Sequence, residues 1–314
     1  MKNKKVNDGG EGVRGEGEGY SIHAIQSGLV LDEVRADEWV LGGVGGFDVV
    51  NPSGSWLSVA RSESQMRYGL ETMSCATFGT LAAISALCRV SVGGIGVGGS
   101  GAALPPLLKR RVLTGWRDRC AIHAGSPKVG GLKSDVDWSE RYVSTLAGTT
   151  RNGNSPHKVA ETIRKYGLVP EELMPFSAEV DTWEEFYDME MARGLKARGR
   201  KWGYEFQHAW LGDGSVSAAL KVSPVGVAVW AWAYDASRNR YVTPEGVDMV
   251  NHWCLVVGET EDSWVILDSY EPFIKYLDKD FRFKMAKIYR ITTPIHGTRL
   301  GASVRKIWDC ITMD

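Results

Sequence analysis

Three side chains far apart in the chain have the types that a covalent acyl-transfer site needs: Cys75, His252 and Asp268. A thiol is a weak nucleophile at neutral pH until its thiolate is favoured, and both helix N-terminal amides and a nearby imidazolium favour it. A histidine can then carry the proton, while a carboxylate that accepts from the ring holds its tautomer and orientation. Each residue also has a plainer reading. A lone cysteine is usually a small buried hydrophobe, a strand-end histidine is usually satisfied locally, and an aspartate after a strand commonly starts a turn. The three together are more specific than any one alone.

The elements around them suit that chemistry. Cys75 precedes ATFGTLAAISAL (76–87), a small and apolar run that predicts a helix largely buried in a core. A second helix is well punctuated, with Ser155 as cap, Pro156 at the first position, Val159, Ala160 and Ile163 on one face and Gly167 as the stop. Residues 182–200 carry a charged pattern that predicts a solvated surface helix, weakened in its middle by Gly194. From Val225 the pattern changes to β-branched and aromatic runs: VGVAVWAW, then HWCLVVG from His252 and SWVIL from Ser263. KIYRIT from Lys287 adds a fourth strand. Helices first and strands afterwards predict an α+β fold, with a helical half carrying the thiol and a sheet half carrying the histidine.

Composition narrows the field. The 314 residues are 43% hydrophobic and 24% charged, enough for a full core. A net charge of −1 provides no overall field for nucleic acid or an anionic membrane, so neither partner is expected. No run approaches a membrane span and the start is polar, so neither a signal peptide nor a transmembrane segment is expected. Five widely spaced cysteines (Cys75, Cys88, Cys120, Cys254, Cys310) do not form a disulfide framework and point to a reducing compartment. His252 and Cys254 could share a strand face, but no second ligand pair has zinc-site spacing, so no metal or cofactor is expected.

Two glycine-rich stretches mark the organisation. Residues 9–19 hold six glycines among charged residues, so 1–36 is expected to be a flexible tail before a catalytic domain at 37–292 and an extension at 293–314. The stretch from Val92 to Ala102 holds another six, including Gly96-x-Gly98-x-x-Gly101. A dinucleotide loop of that pattern must open a helix, and Pro105 and Pro106 block its first turns, so a flexible insertion at about 91–128 is the better reading.

Several segments, in order, resemble papain-like cysteine proteases over roughly residues 60–292. SCATFGTLAAI resembles that family's cysteine helix, NHWCLVVG its histidine strand, and WVILDSY its asparagine-serine-tryptophan motif. SERYVSTLAGTTRNGNSPHKVAETIRKYGLVPEELMPF from Ser139 resembles the segment that passes a glycine-bearing cleft wall, and PVGVAVWAW from Pro224 the strand before the histidine.

The resemblance implies a two-lobed α+β fold and a thiol peptidase acting on a peptide or protein. Cys75 would be the nucleophile, His252 the general base and acid, and Asp268 the orienter of the ring. Gln65, ten residues before Cys75 and farther than the family spacing, would supply an oxyanion donor. Gly153 and Asn154 would form a substrate-binding edge that pairs with extended peptide. The chain departs from the family in having Asp268 where an asparagine is usual, no tryptophan after the cysteine, and none of the disulfides of secreted relatives. Because an amide oxygen can also orient the ring, Asp268→Asn is expected to be better tolerated than Asp268→Ala. The same triad serves a cell-wall peptide amidase or endopeptidase and an acyl transferase, and a silent binding or virion-associated protein could keep the fold. These features imply a divergent bacterial or phage-type member, cytoplasmic or virion-associated.

Overall fold

The computed structural model describes residues 20–22, 28–31, 40–41, 49–93, 137–201, 204–212, 216–244, 246–247, 249–281 and 283–294. Gly96-x-Gly98-x-x-Gly101, Cys120, Cys310, nearly all of the 91–128 insertion and most of the 293–314 extension lie outside the described residues.

Helix α1 (Cys75–Gly93) begins at the predicted cysteine and runs past the predicted apolar stretch. Its small residues allow close approach to the sheet: a Cβ on Gly79 would lie 3.0 Å from the Trp253 ring. Leu81, Ile84 and Leu87 of α1 join Trp253, Leu255 and Val257 in one core. Burying a large apolar side chain of this kind stabilises the fold by roughly 1.5–3 kcal/mol.

Helices α2 (Glu140–Ala147) and α3 (Pro156–Tyr166) are both capped by serine hydroxyls. Ser139 accepts from the Tyr142 amide, and Ser155 accepts from the Lys158 amide with Pro156 in the first turn. The bounds of α3 are those its caps predict.

The charged segment expected as one surface helix is instead three short helices: α4 (Trp183–Phe186), α5 (Met189–Gly194) and α6 (Lys196–Lys201). The cause is a second capping residue within the run. Thr182 forms a capping box with Glu185, and six residues later Asp188, in extended conformation, accepts from the Met191 amide and starts a new helix. One further short helix, α7 (Val216–Ala219), precedes the main strands.

The strands are β1 (Tyr20–Ile22), β2 (Val40–Leu41), β3 (Met66–Arg67), β4 (Leu70–Glu71), β5 (Tyr204–Leu211), β6 (Val225–Val229), β7 (Ala233–Asp235), β8 (Arg240–Val242), β9 (His252–Glu259), β10 (Ser263–Leu267), β11 (Ile274–Asp278) and β12 (Met285–Pro294). All but the β3–β4 hairpin form one sheet in the order β1-β7-β8-β11-β10-β9-β6-β12-β5-β2. The strands around His252 (β10, β9, β6 and β12) are antiparallel to one another. The sheet is mixed, because β11 runs parallel to β8 and β2 parallel to β5. The four expected strands are β6, β9, β10 and β12, which hold adjacent places together with the chain's main core.

Within residues 1–36, expected as a tail, Tyr20–Ile22 pairs with β7 and residues 28–31 are also described. No helix among the described residues is long and apolar enough to cross a membrane.

Candidate active site

Cys75 is the first residue of α1, and the carbonyl just before it, of Ser74, accepts from the amides of Thr77 and Phe78. The positive end of the helix dipole therefore lies at the sulfur. His252 is the first residue of β9, paired with Val229 at the end of β6. The β9–β10 hairpin sets Leu267 opposite Leu255 and so carries Asp268 back toward the start of β9. There, His252 Nε2 meets Asp268 Oδ1 at 2.6 Å, with both side chains fully buried.

The His252 ring lies edge-on to Trp232 at 5.7 Å and tilted over Tyr270 at 5.3 Å. Its other nitrogen, Nδ1, makes no hydrogen bond of ordinary geometry, while the Cys75 thiol is near enough to raise the ring's affinity for a proton. Burial alone would push the His252 pKa down. The Asp268 carboxylate, by charge and by hydrogen bond, and the Cys75 thiol outweigh that and hold it at about 10. Asp268 moves the other way: burial favours its neutral form, but His252 and then Lys275 keep it ionised and its pKa below the usual value.

Sequence reasoning did not find Lys275. It sits on β11, 2% exposed, with Nζ 2.7 Å from Asp268 Oδ2. Nζ donates to the carbonyls of Tyr270 (2.7 Å) and Pro272 (2.6 Å). With both side chains buried, this contact is a buried ion pair.

The nine residues between Gln65 and Cys75 include the β3–β4 hairpin, which turns through Tyr68 (φ 55) and Gly69 (φ 80). It returns the chain so that the Thr72 amide and hydroxyl both donate to the Gln65 carbonyl, three residues before Cys75. The Gln65 side chain is fully buried, and its amide donates to Glu71 Oε1 (2.7 Å) and to the Tyr270 hydroxyl (2.8 Å). Its oxygen accepts from Ser269 at 2.7 Å. The two amide protons expected for an oxyanion are thus both engaged. Glu71 completes the network, accepting from the Tyr270 hydroxyl (2.8 Å) and the Met73 amide (2.8 Å). Ser269 and Tyr270 stand in the WVILDSY stretch, but nothing in the sequence pointed to this network or to Glu71.

Gly153, at φ 93, closes a turn with Thr150, and the Asn154 side chain is buried on Ala147 and Thr149. The backbone edge at this pair is occupied by the chain itself. Asn154 donates to the Gly28 carbonyl at 2.9 Å and accepts from the Val30 amide at 3.0 Å, in a parallel bridge at Leu29. Gly28 also lies against the Met73 carbonyl, two residues before Cys75: a Cβ there would be 1.9 Å from that oxygen.

Away from the thiol, Glu63, Asp137 and Glu140 offer carboxylate oxygens within 4.8 Å of one another. Burial, then Glu63, raises Asp137 to about 7, and burial also raises Glu171 nearby to about 8. Arg67 pairs with Glu63 at 2.9 Å.

The fold can be compared with solved structures. It is similar to that of xylellain, a cysteine protease from Xylella fastidiosa, with a TM-score of 0.53 at 14% identity, over 85% of this chain and 96% of that one. This chain has the papain-like fold. The expected α+β architecture is therefore found, with the thiol on a helix and the histidine on the sheet. Lower-scoring likenesses include procathepsin L 3 of Tenebrio molitor larval midgut (TM-score 0.47, 17% identity, 81% of this chain and 75% of that one). Another is the Carica candamarcensis cysteine protease CMS1MS2 (TM-score 0.46, 14% identity, 76% and 97%). No family model and no curated protein matches the sequence. At such low identity the likeness shows the fold alone.

Proposed function

We propose that this chain is a thiol peptidase that hydrolyses peptide bonds through an acyl-enzyme on Cys75. The observation that carries the reading is the meeting of a helix-start thiol, a strand-start imidazole and a carboxylate 2.6 Å from that imidazole, on a papain-like fold.

In this reading His252 takes the thiol proton and the sulfur attacks the carbonyl carbon of the scissile peptide, making a C–S bond and an oxyanion. The amide of Cys75 at the helix start faces that charge. For Gln65 to join it, one amide proton must leave Glu71 or Tyr270. As the C–N bond breaks, His252 gives its proton to the departing amine. It then takes a proton from water, which attacks the thioester and restores the thiol. Asp268 holds the ring through Nε2, leaving Nδ1 for the sulfur.

Extended peptide would bind along the Gly153–Asn154 edge, where residues 28–31 now lie, so those residues must leave before substrate enters. The test is labelling with a thiol-directed epoxide followed by peptide mapping, alongside turnover of a mixed fluorogenic peptide library. Selective loss of Cys75 with turnover that disappears in Cys75→Ala is expected. Reaction at Cys75 no faster than at Cys88 and Cys254 would defeat the proposal.

A further inference from the structure

We infer that Lys275 is a positioning residue that offsets part of the charge of Asp268 and holds its carboxylate in place as the acceptor from His252. The inference rests on the peptidase reading above and adds a fourth residue to it.

A carboxylate at position 268 brings a full negative charge to a site only 1% exposed. A lone charge so deeply buried is costly, and beside an imidazole it also strengthens the ring's hold on its proton. An amide at this position would have neither problem. A second charge offsets part of each effect. Lys275 Nζ lies 2.7 Å from Oδ2, the oxygen turned away from His252, while Oδ1 stays on the ring.

The ammonium is itself built in. The carbonyls of Tyr270 and Pro272 hold it, and the rings of Trp232 (5.3 Å) and Tyr241 (5.8 Å) flank it. Tyr270 follows Asp268 by two residues and Trp232 packs edge-on against His252, so the groups that place the lysine also frame the imidazole. A surface ion pair has no such frame.

Other groups face the pair, and none can replace the lysine. Cys75 comes from α1, Cys254 from β9, Tyr241 from β8, and Tyr270 from the β10–β11 connection with Glu71 behind it. All of them are neutral or carry negative charge when they ionise, so Lys275 is the cation that faces Asp268 besides the protonated His252 ring.

The consequence concerns substitution at 268. Asp268→Asn, mild where no lysine is present, here leaves a buried ammonium without its counter-ion beside His252. The damage should be repaired by removing the lysine too. The test is a set of four full-length chains: parent, Lys275→Met, Asp268→Asn and the double variant. Each is followed by two readouts, NMR titration of the His252 ring and the pH dependence of Cys75 alkylation by iodoacetamide.

Lys275→Met is expected to move the His252 titration up by about one pH unit, because a repelling cation is gone. Asp268→Asn is expected to move it down by about one unit or more, and the double variant to lie between the two single variants. His252 titrating in Lys275→Met as in the parent would overturn the inference. So would a double variant that is no nearer the parent than Asp268→Asn.

If Lys275→Met does not fold, the double variant, which buries neither charge, is expected to fold, and its failure to do so would also overturn the inference. The peptidase reading fails on a different result, namely Cys75 alkylated at an ordinary thiol rate in the parent. The NMR comparison still decides the role of Lys275 in that case.

Discussion

Substituting Gly28 with alanine should increase activity. The Gly28 Cα packs so closely on the Met73 backbone that an alanine Cβ would lie 1.9 Å from the Met73 oxygen and 2.3 Å from its carbonyl carbon. Ordinary contact needs more than 3 Å, so residues 28–31 must shift by over 1 Å, and the atoms in the way are backbone. That shift spoils the two hydrogen bonds fastening the segment to the cleft edge, Asn154 to Gly28 at 2.9 Å and Val30 to Asn154 at 3.0 Å.

At about 0.5–1.5 kcal/mol each, their loss frees the edge by about 1–3 kcal/mol, or roughly 5- to 150-fold in the open population. If substrate must displace the segment, kcat/KM for a peptide rises by a factor in that range. The assay is initial-rate hydrolysis of a fluorogenic peptide by parent and Gly28→Ala at low substrate, with Cys75 alkylation rates as an independent measure of access. A variant that is folded, equally stable and no faster in either measurement would show that residues 28–31 do not compete with substrate.

Cys75→Ala removes one sulfur from the helix start and should abolish turnover with the fold kept, as judged by circular dichroism and Tm; retained hydrolysis would locate the nucleophile elsewhere. Gln65→Ala leaves Glu71, Ser269 and Tyr270 each short of a buried partner, so denaturant titration should show a loss of about 1–3 kcal/mol, and an unchanged midpoint would mean that water replaces the amide. For His252 the folded pKa of about 10 lies above the unfolded value near 6.5, so its protonated form stabilises the fold fully below about pH 6.5 and ceases to as pH rises through 10. Urea titrations of parent and His252→Gln at pH 6 and pH 10 should therefore show a stability difference that shrinks at the higher pH; a difference that widens would contradict the pairing with Asp268.

Much of this protein could be read from one dimension, because caps, periods and breaks act over a few residues. Ser155, Pro156 and Gly167 bound a helix by local hydrogen bonds and dihedral preference, and the structure places it at the same ends. The small apolar run after Cys75 and the β-branched runs at Val225, His252 and Ser263 named the helix and strands that bring Cys75, His252 and Asp268 together. Where two local signals competed, as Thr182 and Asp188 do in the charged segment, the pattern alone misjudged one helix for three.

What lay outside the sequence reading depends on distance through space. Lys275 is seven residues from Asp268, yet its ammonium reaches that carboxylate only because β11 folds back on β10 and the rings of Trp232 and Tyr241 close around it. Gln65 and Glu71 meet Tyr270 across about 200 positions of chain. Gly28 reaches the Gly153–Asn154 edge only once the cleft exists. Identity and spacing could nominate a nucleophile, a base and an orienter, but the lysine beside Asp268 and the segment paired with the Gly153–Asn154 edge are set by packing, since electrostatic and steric effects act between neighbours in space rather than along the chain.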